Sequence, residues 1–198
     1  MTSADAIVPF RITVCGIGEL DGHCATGVSH VLSILDPDWP VPAAFAVFGQ
    51  HRKLELRFHD VIEDDVRGVL PPHEDHVAAL LAFGRDLTGE PVLNTHLLVH
   101  CHAGVSRSTA SMALILAQAQ PKVAADRIFA EVLRLRPQAW PNLRMVEMGD
   151  RLLGRHGDLI AATHGVYRWH IRARPELADQ MRDGGRGREI EGAQRQQF

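Results

Sequence analysis

The stretch Leu97-Leu98-Val99-His100-Cys101-His102-Ala103-Gly104-Val105-Ser106-Arg107-Ser108 runs an apolar strand into a turn that holds a thiol, a glycine and a guanidinium. The following residues, 109–120, are mostly Ala, Leu, Ile and Met, the composition of a buried helix. The turn therefore delivers free backbone N–H groups at a helix N-terminus, and such a terminus attracts anions. Each residue type in the turn has a task if that anion is a phosphate ester. A thiol titrates near about 8.5 when unperturbed, and a helix N-terminus with a neighbouring guanidinium lowers this, so Cys101 reads as a thiolate nucleophile. The planar fork of Arg107 suits two phosphoryl oxygens. Gly104 permits a tight curl, so that the backbone of His102, Ala103, Gly104, Val105 and Ser106 forms a nest for the substrate's phosphoryl group. Ser108 supplies a hydroxyl to steady the sulfur before attack and as leaving group, and His100 supports the strand end.

The run His100-Cys101-x5-Arg107-Ser108 resembles the His-Cys-x5-Arg-Ser/Thr signature of the cysteine-dependent protein tyrosine phosphatases. The wording HCHAGVSRS is most similar to the dual-specificity branch, and the order of elements is comparable over roughly residues 10–155. The resemblance implies a phosphomonoesterase that works through a phosphocysteine intermediate, with no metal and no cofactor, on a phosphorylated protein or a small phosphate ester. It also implies an aspartate acid in a loop upstream of the cysteine. Two other classes compete. A rhodanese-type sulfurtransferase also cradles an anion beside a cysteine, but Ser108 and the upstream acidic loop favour the phosphatase. A module that binds phosphate esters without turnover is made less attractive by the intact pair of Cys101 and Arg107.

That loop, Asp60-Val61-Ile62-Glu63-Asp64-Asp65, offers three aspartates, and its spacing to Cys101 is longer than is usual in the family. Asp60 is favoured because it follows a strand directly, where position is best fixed. Val61 and Ile62 beside it would desolvate its carboxyl and raise its pKa toward the protonated form an acid needs. Asp64 and Asp65 sit next to Glu63 and read as solvated loop.

Strands expected at 10–15, 28–35, 53–58 and 95–100 alternate with helices expected at 43–49, 72–87, 109–120, 121–136 and 143–153. The fold class is α/β: a central, mostly parallel sheet flanked by helices on both faces, with the phosphate loop between a central strand and a buried helix. The second strand, Val-Ser-His-Val-Leu-Ser-Ile-Leu, is apolar enough for burial on both faces. Asp36-Pro37-Asp38-Trp39-Pro40 is the densest turn signal, and Gly89-Glu90-Pro91 marks another break. The letters Trp-Pro at 39–40 look like the Trp-Pro-Asp loop of classical tyrosine phosphatases, but order and position differ, and the match is rejected. His23 with Cys24, and His73 with His76, are too few to define a metal site.

Residues 1–155 are expected to form the phosphatase domain and 156–181 a helical extension packed on it. Residues 182–198, almost all Gly, Arg, Glu, Asp and Gln, are expected to be a disordered tail. With 198 residues, 45% hydrophobic and 23% charged, the chain suits one globular domain. A net charge of −3 gives no reason to expect nucleic acid or an anionic membrane as partner. Cys15, Cys24 and Cys101 lack disulfide or metal spacing, and residues 1–11 hold no apolar core of a signal peptide, so a cytoplasmic monomer is expected.

Overall fold

The computed structural model describes residues 7–64, 67–89 and 95–195. Four parallel strands, β1 (Arg11–Cys15), β2 (His30–Leu35), β3 (Arg52–Arg57) and β4 (His96–His100), form a sheet in the order β1-β4-β2-β3. The register pairs Cys15 with His100 and Ser33 with His100, so β1 ends level with β4 while β2 runs two residues further, to Leu35. In such a sheet the crevice lies outside the carboxyl ends of the strands, and the Cys101 turn opens there.

The strands sort their side chains by the two-residue period. Val14, Leu32, Ile34, Leu97 and Val99 face the main core, which is closed by helices α1 (Glu74–Thr88), α2 (Arg107–Ala119), α3 (Ala125–Leu135), α4 (Leu143–Leu152) and α5 (Asp158–Ala173). Cys15, Val31 and Leu98 face the other way. That second face is covered by two 3-10 helices, Ile17–His23 and Ala43–Val47, with Leu20 and Phe45 packed on it. All six residues of β2 are buried, as its apolar run requires. Helix α2 runs through the middle of the helical layer, and every residue from Arg107 to Ala117 is buried.

Several boundaries differ from the sequence reading. The helix expected at 43–49 is a 3-10 turn, and α1 begins at Glu74 because Pro71 and Pro72 hold the chain extended before it. The interruption at Pro175 is by contrast legible in the sequence: α5 ends before it and α6 (Leu177–Asp183) follows, since a proline there cannot continue a helical ladder. The larger correction concerns the tail: 187–195 form α7 (Gly187–Arg195), with Glu189, Ile190 and Ala193 buried. Composition pointed to disorder, but α7 has its few apolar residues on one face, and that face packs on Trp140 and Tyr167. Residues 1–6, Asp65, the break at 90–91 and residues 196–198 lie outside the described residues. No described helix is long and apolar enough to cross a membrane.

Candidate active site

The turn after β4 is shaped from outside. Ile17 N donates to His102 O (2.9 Å), Arg136 Nη2 to Ala103 O (2.9 Å), Arg136 Nε to Gly104 O (3.0 Å) and Trp140 N to Val105 O (2.9 Å). Ala110 N takes Ser106 O at 3.0 Å. With every peptide among the described residues trans, an outward carbonyl turns the next residue's N–H inward, so the N–H groups of 103–107 line the concave side of the loop. Arg136 is itself steadied by Glu19, which receives its guanidinium at 2.8 and 2.9 Å and also accepts Gly16 N at 2.6 Å. The hydrogen bond from Arg136 holds the Glu19 carboxyl below the usual range.

Gly104 adopts φ +69°, and a Cβ there would stand 2.6 Å from Cys15 O and from Gly16 N. No other residue fits where the loop rests on the end of β1. A Cβ on Gly16 would likewise meet His102 O at 2.8 Å.

Inside this ring Cys101 is buried, its Sγ 3.2 Å from the Ser108 hydroxyl on the first turn of α2. Arg107 opens that helix, 3% exposed. Its Nη1 donates to Asp36 Oδ1 at 2.7 Å and to Phe58 O at 2.5 Å, while Nε has no hydrogen-bond partner among the described residues. Asp36 follows β2 directly, and its backbone N–H donates to His102 Nε2 at 3.2 Å. Trp39, on the same turn and exposed, lies against the His102 ring with centroids 4.4 Å apart. The Asp36–Trp39 segment thus forms one wall of the mouth, although its letters match no acid-bearing loop.

Asp60 meets the loop at Ser106. Its Oδ1 accepts from Ser106 Oγ (2.7 Å), Asn142 Nδ2 (2.9 Å) and Arg186 Nη1 (3.1 Å). The structure therefore brings Asp60 to the thiol loop, through Ser106, as the strand position implied. It does not raise the Asp60 pKa as the apolar neighbours suggested. Burial pushes in that direction, but Arg186, Arg107, Ser106 and Asn142 outweigh it and hold the carboxyl below its ordinary value. Asp64 is turned away, exposed and paired with Arg144.

His100 is fully buried, with Ser33 Oγ at 2.8 Å from Nε2. Burial drives its pKa down to about 4, against a smaller opposing effect of the Cys101 backbone, so the ring is neutral beneath the loop. His76 spends its Nδ1 on the His73 backbone N–H, at 3.0 Å, as a cap on α1 rather than as half of a metal pair. Among the described residues no group of three or more His, Cys, Asp or Glu side chains is placed to hold a metal ion.

Sequence reasoning missed the residues that fix the loop from a distance: Asp36, Arg136 with Glu19, Asn142, and the pair Arg186 and Glu189. Arg136 ends α3 and Arg186 precedes α7, but nothing local in the sequence says where either side chain reaches.

No family model and no curated protein matches the sequence. Solved structures do. The chain is similar to human DUSP28 (TM-score 0.55, 15% identity, covering 75% of this chain and 94% of that one). It is also similar to the human tyrosine phosphatase-like serine/threonine/tyrosine-interacting protein (TM-score 0.53, 17% identity, 76% and 95% covered). A third likeness is to Tk-PTP in its active form (TM-score 0.51, 19% identity, 78% and 99% covered). The fold is that of the dual-specificity branch of the cysteine-dependent protein tyrosine phosphatases, which the signature around Cys101 resembles.

Proposed function

We propose that this chain, which has a dual-specificity phosphatase fold, is a phosphomonoester hydrolase acting through a phosphocysteine intermediate. One observation carries the reading: Cys101 Sγ lies 3.2 Å from the Ser108 hydroxyl inside a loop whose carbonyls from 102 to 106 are all bonded outward. Such a loop offers a phosphoryl group only N–H donors, at the end of a helix that stabilises negative charge.

In the first step Cys101 Sγ attacks phosphorus and the ester P–O bond breaks, while Arg107 and the loop N–H groups take the equatorial oxygens. Arg107 Nε, which has no hydrogen-bond partner among the described residues, is a donor available to one of them. Asp60, in the protonated fraction that its lowered pKa leaves, gives its proton to the departing oxygen. Because Ser106, Asn142 and Arg186 all occupy Oδ1, Oδ2 is the oxygen that carries that proton. In the second step water attacks phosphorus, the S–P bond breaks, and the Asp60 carboxylate accepts the water's proton. Ser108 donates to the departing sulfur.

A phosphoprotein is the substrate class that fits. His102, Ala103, Val105 and Ser106 place no Lys or Arg side chain in the loop, and Arg186 is neutralised by Glu189 at 2.7 Å, leaving little positive charge for a multiply phosphorylated headgroup. Rapid quenching during turnover of an aryl phosphate should trap a phosphoryl group on Cys101. Cys101→Ser should trap none and still bind inorganic phosphate. Hydrolysis by Cys101→Ser at more than a few per cent of the native rate, with contaminants removed, would rule out the covalent route.

A further inference from the structure

Arg186 stands in the connection between α6 and α7, just after Gly184 and Gly185 end the first of these helices. The peptide turns back at Gly185, with φ +76°, and Arg186 N closes on Met181 O at 2.8 Å. The guanidinium is 12% exposed and works in two directions. On one side Nη2 and Nε grip the two oxygens of Glu189, at 2.7 and 2.8 Å. On the other, Nη1 reaches Asp60 Oδ1 and Nη2 reaches Ser106 Oγ, each at 3.1 Å.

Glu189 is an unusual anchor, because it is fully buried and its two carboxylate oxygens accept from four residues. It accepts from Trp140 Nε1 (2.6 Å), Leu143 N (3.2 Å) and the Tyr167 hydroxyl (3.2 Å) in addition to Arg186. Trp140 in turn donates its backbone N–H to Val105 O in the thiol loop. The two ends of the bracket are therefore tied to the same loop by separate routes. Arg188, in the first turn of α7, fastens the acidic loop further along: Nη2 donates to Ile62 O at 2.8 Å and Nε to Glu63 at 3.0 Å, while Nη1 holds Glu147 of α4 at 2.8 Å. A fork that binds two partners at once needs a planar guanidinium, and a buried carboxylate keeps it from swinging free.

We propose that Arg186 is a positioning residue for the phosphoryl site, clamping Asp60 against Ser106 so that the segment carrying α7 completes the machinery of the reaction. The proposal rests on Asp60 being the proton donor. It fixes the Oδ1 edge of the carboxyl and sets the pH range over which Oδ2 keeps a proton. The charged and titratable groups facing Asp60 are Arg186 from the α6–α7 connection, Arg107 from α2 and His102 from the thiol loop, with Ser106 and Asn142 as neutral donors. Those facing Arg186 are Glu189, Asp60 and Tyr167. Removing a cation from this set favours the protonated carboxyl, so the alkaline limb of the rate profile moves up in pH.

The test compares kcat/KM against pH, on an alkyl or phosphotyrosyl ester, for the native chain, Arg186→Lys, the pair Arg186→Met with Glu189→Gln, and Asp60→Asn. The pair avoids stranding Glu189 as a lone buried charge. It should lose on the order of tenfold in kcat, less than the 10² to 10⁴ a general acid contributes, and its alkaline limb should lie above the native one. Arg186→Lys, which keeps the charge without the fork, should fall between the two, and should decide the matter by itself if the pair does not fold. Limbs and kcat values of both variants that coincide with the native ones would overturn the proposal, as would a loss of kcat in step with Tm and no movement of the limb. Asp60→Asn separates the two levels of argument. If it leaves the alkaline limb in place, the acid assignment falls; if it flattens that limb while the Arg186 variants leave it unmoved, only the role of Arg186 falls.

Discussion

Asp60 and Gly104 bear on chemistry and geometry respectively, and each is open to a single substitution. With Oδ1 engaged by three donors, an asparagine at 60 keeps the frame and removes the proton. Asp60→Asn should therefore slow a phosphotyrosyl or alkyl ester by on the order of 10² to 10⁴, and a nitrophenyl ester by much less, because a good leaving group needs little protonation. Steady-state rates on the two ester types check this, and an even loss on both would move the acid role elsewhere. Gly104→Ala forces a side chain into φ +69° and onto the backbone at the end of β1. It should cost more than about 1 kcal/mol in a denaturant melt and reduce kcat/KM on the order of 10², since the loop must shift to admit the methyl group. The need for a glycine was legible in the letters of the loop. The direction of the Asp60 pKa was not, because its sign is decided by Arg186, 126 positions further along the chain.

Helix ends do much of the placing. Asn142 caps α4, with Oδ1 accepting Met145 N at 3.1 Å, and the same side chain donates to Asp60 Oδ1 and Val61 O. Asn142→Ala should lose about 1 kcal/mol for the cap, and more for the partner it withdraws from a carboxylate. The prediction is that Tm and the rate on poor leaving groups fall together, whereas Asn142→Asp, which can still cap, recovers stability but not rate. Where α4 crosses α2, a Cβ on Gly149 would stand 2.6 Å from Leu114 Cδ1, so Gly149→Ala should destabilise by about 1–3 kcal/mol through overpacking, read as a lower midpoint in urea. Helices α2 to α4 were readable from their apolar composition and spacing. The cover over the other face of the sheet was not, because 3-10 turns such as Ala43–Val47 have too few residues to set up a period.

The tail composition misled because it measures how much apolar surface a segment carries, and α7 is held by a small amount of it together with the buried carboxylate of Glu189. Deleting residues 184–198 should lower Tm by about 4–8 °C on the burial of Ile190 alone, taken as about 2 kcal/mol, and should also lower activity. The chain as a whole should weaken in mild acid. His76, His96, His100, His102, His164 and His170 all have pKa values depressed chiefly by burial, His100 to about 4 from 6.5. The unfolded chain takes up protons below about 6.5 while the folded one does not, so the stability these neutral rings hold at pH 7 is lost as pH falls from about 6.5 toward 4. For His100 the loss approaches about 3 kcal/mol at full titration. Thermal melts at pH 7 and pH 5 should show the drop.

Trp39 has a practical consequence. The chain contains three tryptophans, and Trp140 is buried against Tyr167 while Trp169 stands exposed on α5, away from the thiol loop. Trp39 lays its indole against the His102 ring of that loop, with centroids 4.4 Å apart and its own turn anchored to Arg107 through Asp36, whereas Trp140 meets the loop through its backbone N–H on Val105 O. An oxyanion that draws Arg107 away from Asp36 disturbs the surroundings of this indole directly. The protein thus carries its own optical reporter: phosphate or vanadate titrated into the Cys101→Ser protein should change the intrinsic emission, and Trp39→Phe should silence the change.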